Sequence, residues 1–252
     1  MANITLLDGN RHRTLRVRTG YRLRSHDGLG LIPILPAELD AAHKEFPLFA
    51  CKQTDTGRFF FCALLAATAT GNAFLDPRGE WLSRYVPLLA RRGPFLMHDD
   101  GNGLKLCIDL DDPRVGGDGE RLYDDAGQPT PHARHMATLM HTIHEGQQQT
   151  AALVDALTSQ QLLEPIAIDH PGEMLRGLYA INPDRLKALD ATVLSNLNRA
   201  GHLQAAYFLA SSLGNLRPLL TSAAGPGSAS ASSTQTASAT ATTSTSRTAA
   251  SA

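Results

Sequence analysis

The chain has 252 residues and a formal net charge of −1, with 42% hydrophobic, 19% charged and 6% aromatic residues. That balance belongs to a globular protein; it gives no global attraction to nucleic acid or to an anionic membrane and excludes collagen-like, disulfide-dense and wholly disordered classes. No apolar run approaches the roughly 18 residues of a membrane-spanning helix, and residues 1–13 lack the charged and apolar regions of a cleaved secretory signal. The expectation is a cytoplasmic protein in which Cys51, Cys62 and Cys107, each flanked by strand-like apolar residues, are reduced core thiols.

Along the chain, Leu15, Val17, Tyr21 and Leu23 alternate with Arg16, Arg18, Arg22 and Arg24, which predicts a half-buried strand with one arginine face. Pro36 suits a first helical turn, so residues 37–45 are expected to form a short helix ended by Phe46 and Pro47. Residues 48–52 read as a strand and 54–57 as a turn, and the continuous apolar run 59–67 reads as a strand covered on both faces at the centre of the sheet. The segment 94–110 is a hairpin on paper, with turn residues at 99–103.

After Pro131 the period changes. Met136, Met140, Ile143, Gln147, Thr150, Val154 and Leu157 recur at three- and four-residue spacings, which predicts a long helix. Leu162, Leu163 and the run 166–169 read as a connection. Asn182 then caps a helix with Pro183 at its first position, an apolar face at Leu186, Leu189, Val193, Leu194 and Leu197, and a stop at Gly201. A last helix spans 202–213 and ends at Gly214. Residues 221–252 hold no large apolar side chain and one charge, Arg247, so they cannot offset their own ordering entropy and are expected to form a disordered tail. The fold class is therefore α+β: one domain over 1–220 in which a mixed or antiparallel N-terminal sheet (10–130) packs against a helical region (131–220).

The chemical motifs are few. His132, His135, His141 and His144 crowd one helix and His141 with Glu145 has i, i+4 spacing, but no third ligand is identifiable and a solvated polar face is the simpler reading. The acidic stretch of Asp109, Asp111, Asp112, Asp118, Glu120, Asp124 and Asp125 fails the grammar of a calcium loop and reads as surface turns. Neither a metal nor a cofactor is expected. Gly28 and Gly30 do not complete a dinucleotide fingerprint, and no phosphate-binding loop or nucleophile elbow is present. The arginine face, with Arg91 and Arg92, is suited to carboxylate or phosphate recognition or to protection of a strand edge. Trp81 is a core anchor before it is a stacking platform.

The segments 31–50, 71–95 and 119–130, with LRGLYAINPDRLKAL and GHLQAAYFLASSLGNL, resemble the bacterial SapC family from about residue 10 to residue 220. The most specific block holds Gly71, Asn72, Phe74, Gly79, Trp81, Tyr85, Pro87, Arg91, Arg92, Pro94 and Phe95 in the family's order. Leu39, Ala73 and Gly93 depart from it, the last standing where an aromatic commonly precedes the Pro-Phe pair. The resemblance implies an accessory or binding protein linked to surface-layer formation and transport, but carries over no catalytic set. Family members also tend to be encoded near flavin-dependent halogenase-like proteins, which implies as the alternative an enzyme or enzyme subunit in a peptide or small-molecule modification pathway. The resulting expectation is docking to a protein or peptide partner through a patch of Asn72, Trp81, Tyr85, Arg91 and Arg92.

Overall fold

The computed structural model describes residues 3–20, 30–53, 55–67, 71–99, 101, 103–170 and 173–223. Outside them lie Tyr21, Arg22, Leu23 and Arg24 of the expected first strand, Gly28, parts of the turns at 54–57 and 99–103, and the expected tail from 224 onward. The fold is α+β, and every strand pairing described is antiparallel.

A five-stranded sheet has the order β3 (Leu31–Ile34), β5 (Phe59–Leu64), β4 (Leu48–Lys52), β10 (Glu173–Ile181), β9 (Leu163–His170). The apolar run at 59–67 is thus second in the sheet, and β4 takes the centre. Both faces of these strands are covered, as their unbroken apolar sequence requires. Leu48, Ala50, Phe61 and Ala63 face a core shared with α1 (Leu39–Ala42), α5 (Ala191–Arg199), α6 (His202–Ser212) and the second half of α3 (Pro131–Ser159). Phe49, Cys51, Cys62 and Leu64 face the opposite side, where Leu219 of α7 (Leu216–Ala223) packs.

A second sheet is built from the expected hairpin, β6 (Phe95–Asp99) and β7 (Leu104–Asp109), with β1 (Ile4–Leu6) on the free edge of β7. A two-stranded pair, β2 (Arg16–Val17) with β8 (Glu120–Arg121), completes the strands. The first half of α3 packs on these elements through Ala133, Met136, Leu139, Met140 and Ile143, against Val17, Phe95 and Ile108. One long helix therefore spans both cores. Thr130 caps it by accepting from the Ala133 amide, and Pro131 opens it.

Several sequence expectations are corrected. The supposed connection after α3 is the β9–β10 hairpin, which continues the sheet beyond β4; Pro165 and a bulge between Leu175 and Leu178 break the alternation that would have marked it. The helix expected from Pro183 to Gly201 is two helices, α4 (Pro183–Lys187) and α5, because Asp190 accepts from the Thr192 and Val193 amides and starts a new cap. The helix expected over 37–45 is a turn of 3-10 helix, Pro36–Glu38, followed by the four residues of α1. The expected tail begins later, since α7 runs to Ala223. Cys51 and Cys62 are joined by a disulfide between β4 and β5, with 6.5 Å between their Cα atoms, rather than being reduced. Neighbouring strands bring them together, which a separation of 11 in sequence conceals. Cys107 is a free, buried thiol.

Candidate functional site

Residues 71–95 connect β5 to β6 through α2 (Leu88–Arg91). Asn72 starts the segment by accepting from the Phe74 amide at 2.8 Å; its Nδ2 is buried and unpartnered. Leu75 then bridges Trp81 in an antiparallel pair. The turn between them is closed by Asp76, whose Oδ1 accepts from the amides of Arg78 and Glu80, each at 2.8 Å, and whose own amide donates to the Glu80 carbonyl at 2.9 Å. The Leu82 amide donates to the Phe74 carbonyl at 2.8 Å. Backbone freedom is therefore removed before any partner arrives.

Two carboxylates fix the segment to α1 and its neighbours. Glu45 accepts from the amides of Arg84 and Tyr85, both at 2.8 Å. Glu38, only 2% exposed, accepts from the Leu35 amide at 2.8 Å, the Leu88 amide at 2.7 Å and the Tyr85 hydroxyl at 2.8 Å. Burial pushes the Glu38 carboxyl above its ordinary range, more than these donors and the nearby Arg91 pull it down. Burial, followed by the charge of Glu38, pushes the Tyr85 phenol up.

On one side of this scaffold the Trp81 ring meets the buried Phe46 edge-on at 6.4 Å, and Phe74 meets it at 4.6 Å. On the other, Arg91 lines a cleft of about 130 Å³ with Arg18, His132, His135, Phe95 and Met136. The Nδ1 of His132 lies 3.7 Å from Glu120, and its Nε2 is buried without a hydrogen-bond partner. Burial holds this imidazole below its ordinary range; Glu120 opposes the shift and His135 adds to it.

A scan against protein-family models matches residues 7–219 to SapC. The chain belongs to the SapC family. Comparison with curated proteins and with solved structures finds no match.

In this SapC chain the five nominated residues are all half-buried. Tyr85 donates to Glu38, and Arg91, which lines the cleft, reaches Glu38 only through its charge. Trp81 packs on Phe46, Asn72 caps the Phe74 amide, and Arg92 is the C-cap of α2. The same segment also exposes Leu82, 67% accessible, with Arg78, Glu80 and Arg84. Period-two logic could have found Leu82, because the pairing of Leu75 with Trp81 turns the next side chain to the opposite face. Gly93, the departure from the family pattern, has φ +62 and follows the α2 C-cap, a left-handed position that any side chain would strain.

The acidic stretch is occupied by turns and ion pairs. Asp112 pairs bidentately with Arg114 at 3.0 and 2.7 Å, Asp124 closes a turn on the Ala126 and Gln128 amides, and Asp125 pairs with Arg121. His141 pairs with Glu145 at 3.0 Å on the exposed face of α3. Among the described residues no group of three or more His, Cys, Asp or Glu is placed to share a metal ion, and no helix is long and apolar enough to cross a membrane.

Proposed function

We propose that this SapC-family protein is a cytoplasmic accessory protein that docks a protein or peptide partner, in keeping with the surface-layer association of the family. The observation that supports this reading is the locked 74–84 turn, which holds Leu82 in solvent between Arg78 and Arg84. A pre-ordered apolar tip flanked by guanidinium groups suits a partner that offers an apolar pocket with an acidic rim. Asn72, Trp81, Tyr85, Arg91 and Arg92 then serve as the frame behind the tip. Cytosolic thiols reach the Cys51–Cys62 bond poorly, because both residues are buried.

The alternative, an enzyme or subunit in a modification pathway with a flavin-dependent halogenase-like partner, draws on the cleft beside His132. At about 130 Å³ that cleft is smaller than the roughly 300–1,000 Å³ of most small-molecule sites. We therefore keep docking as the conclusion. Leu82→Asp and Arg84→Glu, on side chains that carry no fold contacts comparable to those of Trp81, are the probes. In affinity purification from the native cell followed by mass spectrometry, the partner retained by the wild-type chain is expected to bind Leu82→Asp about thirtyfold more weakly or worse, with the thermal midpoint unchanged. Equal retention by the folded variants would refute the reading.

A further inference from the structure

The cleft between α2 and the start of α3 lies apart from the 74–84 turn, with none of residues 74–84 in its lining, and that lining is chemically uneven. Phe95 and Met136 form an apolar floor, while Arg18, Arg91, His132 and His135 supply nitrogen donors. No carboxylate lines it among the described residues. The Arg91 guanidinium makes no hydrogen bond among the described residues, and the Nε2 of His132 is buried and unpartnered. Both histidines sit at the beginning of a 29-residue helix, where the aligned peptide dipoles add positive potential. The Arg91 charge also acts on Glu38, yet nitrogen donors without hydrogen-bond partners beside an apolar floor are the recognition elements for an anion on a short hydrocarbon stem. A cleft of about 130 Å³ suits a carboxylate on a short hydrocarbon stem.

We propose that this cleft binds a small free carboxylate, its oxygens on Arg91 and His132 and its stem on Phe95 and Met136. Arg91 offers the planar pair of N–H donors that a carboxylate accepts. His132 donates from Nε2 as the Nε2–H tautomer or as the imidazolium, and the Glu120 carboxylate 3.7 Å from Nδ1 favours a second proton there. Burial, and secondarily His135, hold the imidazole below its ordinary range when the cleft holds no anion, whereas Glu120 and an incoming carboxylate both favour the imidazolium. Arg91 from α2 and Arg18, just after β2, face the same space and oppose protonation; Arg18 is partly offset by Asp118 at 3.5 Å. Binding therefore takes up a proton and tightens as pH falls through the imidazole range.

The test uses the full chain and sodium butyrate, with butyramide and inorganic phosphate as comparison probes, and follows the histidine ring resonances by NMR. Butyrate is expected to shift the His132 signals saturably with a Kd on the order of 1 mM, and butyramide to leave them unmoved. Arg91→Gln is expected to weaken butyrate about tenfold. The gain in affinity on going from about pH 8 to about pH 6 should be present in the wild type and lost in His132→Gln. Absence of saturation, equal binding of butyramide, tighter binding of phosphate, or unchanged butyrate affinity in folded Arg91→Gln would each overturn the proposal. The comparison of butyrate with butyramide on the wild type decides the matter even if a variant does not fold.

Discussion

Replacing Glu38 with alanine is expected to lower stability by about 3–5 kcal/mol, measured by chemical denaturation. The carboxylate gathers three donors, the Leu35 and Leu88 amides and the Tyr85 hydroxyl, and the first two are buried. Its removal leaves them unsatisfied where water cannot replace the acceptor. Glu38→Gln keeps one acceptor oxygen and turns an N–H against the remaining donors, so a smaller loss of about 1–2 kcal/mol is expected. The pH dependence separates charge from hydrogen bonding. Because burial raises the folded-state pKa, the native protein holds the Glu38 proton to higher pH than the unfolded chain does. The contribution of Glu38 to stability is thus fully present below the ordinary glutamate value and declines as pH rises through the raised one. Glu38→Gln is expected to remove that downward slope. A slope identical to wild type, or a Glu38→Ala midpoint within error of wild type, would show that the carboxylate is not the anchor described here.

Glu38 also marks where sequence reading stops. A glutamate in PAELD reads as a surface helix residue, and nothing local shows that its partners lie 47 and 50 residues away at Tyr85 and Leu88. Local signals did give β4 over Leu48–Lys52, the β6–β7 hairpin, and the start of α3 at Pro131. In each case a turn or cap residue adjoins the element, so the information is contiguous. The β9–β10 hairpin escaped because its stability comes from pairing with β4, more than a hundred residues earlier, and because Pro165 interrupts its pattern. For the same reason the nominated residues were found as polar and aromatic members of the family-like block 71–95, whereas the placement of Trp81 on the Phe46 cluster and of Arg91 on the α3 cleft depends on contacts outside the segment.

The second large effect is expected at Gly119, just before β8. A Cβ there would lie 2.3 Å from the carbonyl carbon of Val17, 2.4 Å from its oxygen and 2.5 Å from the Arg18 amide nitrogen. All three are backbone atoms, so relief requires β2 to move away from β8 rather than a side chain to rotate. Gly119→Ala is expected to destabilise by about 3 kcal/mol or more. Val17 and Arg18 also wall the cleft, so this substitution should weaken butyrate binding by that displaced wall even where the protein stays folded. Gly214→Ala is the control, because a Cβ at that position meets nothing within 4 Å; a change within about 0.5 kcal/mol is expected there. A Gly119→Ala protein as stable as wild type would mean that β2 and β8 do not approach as closely as described.

The docking account rests on the 74–84 turn being the surface that a partner covers. Hydrogen-exchange mass spectrometry of the purified complex against the free chain measures this directly. The turn amides of Arg78 and Glu80 and the amide of Leu82 are already hydrogen-bonded within the fold, so the account predicts slow exchange in the free protein and further slowing across 76–84 in the complex. Protection confined to the outer face of α3 or to the β9 edge, with 76–84 exchanging as in the free chain, would contradict it.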